Sequence, residues 1–371
     1  MFMRKPYFSL AFIFLSITFC SRDNINREYI YTEPQQINDG LEVSTLDSAG
    51  IDKELISYMA DNIKSFRYVA IHSVLILRNN KLVFEEYFNG YNKNSFNNVY
   101  SVTKSFCSAL TGIAIDKQYI KSVNDPIKTY LTDYNDVDWT KKDKITLYHL
   151  LTMSSGLEWD EDTAPYGTAA NSHTKMSQSS EQVRYVLQRP LISEPGSRFT
   201  YNSGGVVVLG KIISNSIDME LDTFATRYLF KPLGINEHKW YIYPSGIYLT
   251  SGDLQLKSRD MAKFGLLYLN HGNWKGKQLI SEDWIAQSTK NHISPSYETY
   301  YGYLFWKQPF LLLNGQRIEA YAAEGFGGQI IFILPTYNMV VVFTSGIDWY
   351  EEKRLYQPFE MLQQFILPAI E

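Results

Sequence analysis

The period at which apolar residues recur changes along this chain, and each change marks an element. Ile51, Leu55, Tyr58 and Met59 return at helical spacing. Val74 to Leu77, the pair Asn79-Asn80 and Leu82 to Phe84 then read as a β-hairpin closed by a tight turn. Clear strand pattern returns only near the other end. There Gln329 to Leu334, a turn over Pro335 to Asn338, and Met339 to Phe343 predict a second hairpin. A helix follows, with Phe359, Leu362 and Ile366 on one face. Between the hairpins the pattern is mostly helical. Phe106, Ala109, Leu110 and Ile113 fall at i, i+3, i+4 and i+7. Met261, Phe264 and Tyr268 line one side of a helix over 260–269 that Asn270-His271-Gly272 closes. Hairpins at both ends predict an α/β fold of the α+β kind: one antiparallel sheet built from the two chain ends and flanked by helices. A mainly helical region is expected as an insertion over about 118–250.

The first residues follow a different logic. Arg4 and Lys5 precede an apolar run from Pro6 to Phe19, too short to span a hydrocarbon core of about 30 Å; Cys20 and the polar Ser21-Arg22-Asp23-Asn24 come next. That is the layout of a secretory signal over 1–20, so export is expected. Cys20 stands where a bacterial lipoprotein is acylated, although bulky Phe19 precedes it where signal peptidases take a small residue. The exported chain is then periplasmic or a membrane-anchored lipoprotein; an uncleaved membrane-proximal anchor is the other reading. A lipid on Cys20 leaves Cys107 without a disulfide partner. Residues 21–45, rich in Asn, Glu and Gln, read as a polar tether, and 46–371 as the folded body.

Composition narrows the possible functions. With 371 residues, 45% apolar and 15% aromatic, the chain can bury a large core without disulfides or metals. Lys and Arg number 35 against 39 Asp and Glu, mixed along the chain, so no basic stripe offers itself to phosphate backbones and nucleic acid is not an expected partner. Six His and two Cys, with neither C-x-x-C nor H-E-x-x-H, point to no metal and no cofactor.

Candidate chemistry starts at Ser101. The apolar periodicity from Phe106 places a helix start at or just after it, so Ser101 and Lys104 share the face of the first turn. A lysine buried there loses its charge more readily, because both desolvation and the positive helix end oppose protonation. It can then take the hydroxyl proton, while unpaired backbone N–H groups stabilise an oxyanion. The same S-x-x-K spacing occurs at Ser172 to Lys175 in a polar stretch with no apolar helix after it, and that copy reads as accidental. Further on, Phe199-Thr200-Tyr201-Asn202-Ser203-Gly204-Gly205 precedes the apolar run Val206 to Leu209, which reads as a helix packed beside the first. A phenol near a cationic lysine can relay a proton, making Tyr201 the third catalytic candidate. Tyr297, Tyr300, Tyr301, Tyr303 and Trp306 form an aromatic cluster that either lines an apolar pocket or packs in the core.

Ser101-x-x-Lys104 followed by Tyr201-x-Ser203 resembles the serine β-lactamase and penicillin-recognising superfamily. Ile145 to Leu157, Glu194-Pro195-Gly196, Lys231 to Ile235 and Ser258 to Gly265 resemble further stretches of that family in the same order, covering most of residues 50–346. The resemblance implies a β-lactamase/transpeptidase-like fold. It also implies an oxyanion hole from the backbone N–H groups of Ser101 and Phe326, with Ser203, Glu324 and Gly325 against the substrate. The family's third motif carries a Lys or His on the sheet's edge strand; here Ala323-Glu324-Gly325 has alanine instead. Without that cation, and with an anionic neighbour, anionic β-lactams and peptidoglycan stems become poorer substrates. The set most resembles the esterase and 6-aminohexanoate-oligomer-hydrolase-like branch. It implies acyl-enzyme hydrolysis of a small-molecule ester or amide. Two alternatives stand: a β-lactamase or D,D-carboxypeptidase, and a non-hydrolytic cell-wall-binding or sensor protein.

Overall fold

The computed structural model describes residues 29–312, 314–347 and 354–370. The expected signal over 1–20, with Cys20, and residues 21–28 of the expected tether lie outside them.

The helices are α1 (Lys53–Lys64), α2 (Val102–Asp116), α3 (Leu147–Leu151), α4 (Ser172–Gln178), α5 (Gln182–Leu187), α6 (Ser203–Ser216), α7 (Leu221–Ala225), α8 (Ser258–Leu269), α9 (Glu282–Ser288) and α10 (Gln357–Met361, continued to Ile366). The strands up to α8 are β1 (Glu42–Val43), β2 (Ile71–Arg78), β3 (Lys81–Tyr87), β4 (Asn97–Asn98), β5 (Lys239–Trp240) and β6 (Leu254–Leu256). After it come β7 (Asn273–Trp274), β8 (Lys277–Gln278), β9 (Ile293–Ser296), β10 (Thr299–Tyr301), β11 (Trp306–Leu311), β12 (Arg317–Gly325), β13 (Gln329–Leu334) and β14 (Met339–Ser345). Nine of them make one sheet, ordered β1-β3-β2-β14-β13-β12-β11-β10-β9. It is antiparallel except for the parallel β1–β3 pair.

The two chain ends meet inside this sheet, where Met339 to Phe343 of β14 face Arg78 to Val74 of β2. The turn between β2 and β3 is Asn79-Asn80 with φ of 52° and 65°, the pair of left-handed residues that a two-residue hairpin requires. Alternation then builds two cores. Leu75, Leu77, Ile331, Ile333, Val340 and Val342 join residues of α2, α6 and α8, whereas Val74, Ile76, Phe332, Val341 and Phe343 face α1 and the C-terminal helix. Because β13 and β14 are covered on both faces, their sequences are apolar without a break. Helix α8 lies close against them: a Cβ at Gly265 would come within 2.9 Å of Ile331 Cγ2.

Two expectations need correction. The tether does not extend to residue 45. From Tyr29 onward the segment belongs to the body, with Tyr29 buried, its N–H donating to Asp61 and its hydroxyl to Glu86, and with β1 added to the sheet. The strand carrying the third motif is not at the sheet edge either, since β12 lies between β13 and β11. Its pairing with β11 ends at Ala322, however, and Ala323 to Gly325 pair with β13 alone. The last residues of β12 are therefore a local edge, and that edge faces the start of α2.

Candidate active site

Helix α2 is buried along nearly its whole length, from Val102 to Ala114. Its first turn therefore cannot present Lys104 to water. The side chain is 2% exposed and its Nζ donates to Ser101 Oγ at 2.7 Å and to the Ser251 carbonyl at 2.7 Å. Burial pulls its pKa down from 10.5 to about 8, against the opposing charges of Glu161 and Asp253. Ser101 itself is half-exposed. It follows Tyr100, which is held at φ 45°, a costly backbone for a bulky residue that turns the chain sharply from β4 into the helix.

Tyr201 arrives from a second helix start. Asn202 caps α6 by accepting from the Gly205 N–H, which fixes Tyr201 just ahead of the helix. Its ring lies 5.0 Å from Lys104 Nζ and stacks on Trp306 at a centroid distance of 6.0 Å. The third wall is the local edge of β12. At Gly325 a Cβ would lie 3.3 Å from Ser101 N and collide with the Val99 carbonyl, so only glycine lets the strand end approach the nucleophile this closely. Ser101 N–H has no acceptor among the described residues. Phe326 follows Gly325, its ring edge-on to Tyr100 at 5.6 Å, and Gly327 and Gly328 turn the chain with φ of 74° and 86°. Glu324, half-buried, stands just before Gly325.

Ser203 is engaged elsewhere. Its Oγ donates to Glu161 Oε1 at 2.6 Å and its N–H to Oε2 at 2.9 Å. Glu161 was not singled out by sequence, nor was Ser251, whose carbonyl anchors the lysine. The segment after α3 carries three groups into this neighbourhood: Glu161, Tyr166, which donates to it at 2.8 Å, and His173, whose ring meets that of Tyr166 at 5.2 Å. His173 belongs to α4, within the second S-x-x-K copy. There Ser172 Oγ accepts from the Asp160 N–H and Lys175 is exposed, so that copy has no buried base. Of the aromatic cluster, Tyr301 and Tyr303 are core residues, Trp306 reaches Tyr201, and Tyr297 is exposed.

A helix-covered antiparallel sheet with a hydroxyl, a buried amine and a phenol gathered at one helix start defines the serine hydrolases of the β-lactamase and transpeptidase type. The family model described as Beta-lactamase matches residues 62–357, and the chain belongs to that family. It is 21% identical to the 6-aminohexanoate-dimer hydrolase of Paenarthrobacter ureafaciens, over 73% of this chain and 71% of the relative. A Bacillus anthracis structure provisionally assigned as a 6-aminohexanoate-dimer hydrolase superposes with a TM-score of 0.67 at 21% identity, covering 91% of this chain and 87% of the other. A family VIII carboxylesterase superposes with a TM-score of 0.63 at 15% identity, over 82% and 95%.

Proposed function

We propose that the protein hydrolyses small carboxylic esters or amides in two acyl-transfer steps, with Ser101 as nucleophile. Ser101 Oγ attacks the carbonyl carbon as its proton passes to Lys104 Nζ. The tetrahedral oxyanion sits between the N–H groups of Ser101 and Phe326. Its collapse expels the alcohol or amine, which takes a proton through Tyr201 and Lys104, and water then attacks the acyl-Ser101 ester by the same relay. The observation that carries this is the 2.7 Å contact between Ser101 Oγ and a lysine whose pKa burial lowers to about 8. Labelling by a fluorophosphonate is expected for the wild type and lost in Ser101→Ala; labelling that persists in the variant overturns the assignment.

Esters and amides are favoured over β-lactams and D,D-peptides by Ala323, which offers no cation to a substrate carboxylate, and by Glu324 beside it. Turnover of p-nitrophenyl esters or amide dimers in preference to nitrocefin is the expected pattern. Export, with attachment through a lipidated Cys20, is proposed on the leader pattern alone. Its check is fatty-acid incorporation that Cys20→Ser abolishes.

A further inference from the structure

Glu161 is a carboxylate with no cation bonded to it among the described residues. It is 3% exposed, and such a group is costly to bury unless its lone pairs are satisfied. Four donors satisfy them: Trp159 Nε1, the Tyr166 hydroxyl, and both the N–H and the hydroxyl of Ser203. The Ser203 contacts place the negative charge at the positive end of the 14-residue α6, two residues beyond Tyr201. Asn171, the cap of α4, donates to the Glu161 carbonyl and pins the backbone as well. One side chain thus ties the helix start that carries Tyr201 to the segment that carries Tyr166 and His173.

We propose that Glu161 is a positioning residue for this site: it holds Tyr166 and the start of α6 in place, and its negative charge bears on the Lys104 amine. The proposal rests on Lys104 being the base of Ser101. The groups around that amine come from several elements: Cys107 on α2, Tyr201 before α6, Asp253 before β6, His173 on α4, and Glu161 between α3 and α4. Asp253 accepts from Asn98 at 2.6 Å, on the strand β4 that pairs with β6. Among the charged neighbours Glu161 exerts the largest pull on Lys104, and it favours the protonated amine.

The test is the pH dependence of fluorophosphonate labelling and of kcat/KM for a p-nitrophenyl ester, in wild type, Glu161→Gln and Glu161→Asp. The wild-type rate is expected to rise with pH through about 8. In Glu161→Gln the loss of the anion is expected to move this limb down by roughly half to one pH unit, with kcat lowered about tenfold or more as an amide NH2 replaces the oxygen that accepts from the Ser203 N–H and Trp159 Nε1. Glu161→Asp keeps the charge and shortens the reach, so the limb stays while the rate falls. An unmoved limb in folded Glu161→Gln, or wild-type rates in Glu161→Asp, overturns the proposal. Should Glu161→Gln fail to fold, Glu161→Asp and Ser203→Ala decide it: a fixed limb with reduced kcat supports the proposal, and wild-type rates in both refute it. Wild-type protein that takes no label at any pH would instead defeat the assignment of Ser101.

Discussion

Helices α2 and α8 each bury a lysine three residues after a polar side chain, at the same 2% exposure, and use it in opposite ways. On α8 Lys263 Nζ forms an ion pair with Asp260 Oδ1 at 2.9 Å within the helix and donates to the Gly234 carbonyl at 2.9 Å, which joins two parts of the chain. On α2 Lys104 has a hydroxyl and a carbonyl for partners, and among the described residues no carboxylate forms an ion pair with it. A buried lysine that meets a carboxylate serves as a clip; one offered only neutral acceptors is pulled toward the free amine by desolvation and becomes a base. Spacing is common to both, so the chemistry is decided by the residue at the first position and by what surrounds the turn.

Replacing each lysine by methionine should separate the two roles. Lys104→Met is expected to lower kcat/KM by at least about 10³-fold, because Ser101 loses its proton acceptor. The same change removes a buried charge that no anion compensates directly, so the thermal midpoint at pH 7 should not fall. Lys263→Met should do the reverse. It strands Asp260, 6% exposed, without its cation, which is expected to cost about 3 kcal/mol of stability while the remaining folded molecules keep their activity per site. Equal losses of stability in both variants would erase the distinction.

How much of this the sequence discloses depends on how local each contact is. Ser101 and Lys104 are legible because helical geometry alone brings i and i+3 together, and the two hairpins are legible because both obey short-range turn rules. Strands β9 to β12 are not. Pro309 interrupts the pattern of β11, and it is tolerated because β10 pairs only with Trp306 and Lys307, leaving Pro309 on a locally bare edge. In β12 small residues, Ala320, Ala322 and Ala323, take the buried positions where a strand pattern would show large ones. Glu161 is illegible for another reason: its partner Ser203 lies 42 residues away, and no periodicity encodes a contact at that distance. The tether misreading has the same origin, since Tyr29 is buried by Asp61 and Glu86 rather than by its polar neighbours in sequence.

The smallest effect expected from the contrast between α2 and α8 lies in the pH dependence of folding. Burial lowers the Lys104 pKa to about 8 in the folded chain, against an ordinary 10.5. Between those values the unfolded state holds a proton that the folded state has released, so the free energy of unfolding rises with pH across that window. Below about 8 both states are protonated and the buried ammonium weighs against the fold by a constant amount, of order 3 kcal/mol. The buried tyrosines whose pKa values are raised, among them Tyr268 and Tyr321, act with the opposite sign as the unfolded phenols ionise near 10. Their contribution is shared by wild type and Lys104→Met and cancels in the difference. Denaturant midpoints measured for both proteins from pH 7 to 10 should therefore converge as pH rises, with the variant ahead at neutral pH. Parallel curves would mean that Lys104 holds its proton in the fold as firmly as in the unfolded chain, and the base of Ser101 would have to be sought elsewhere.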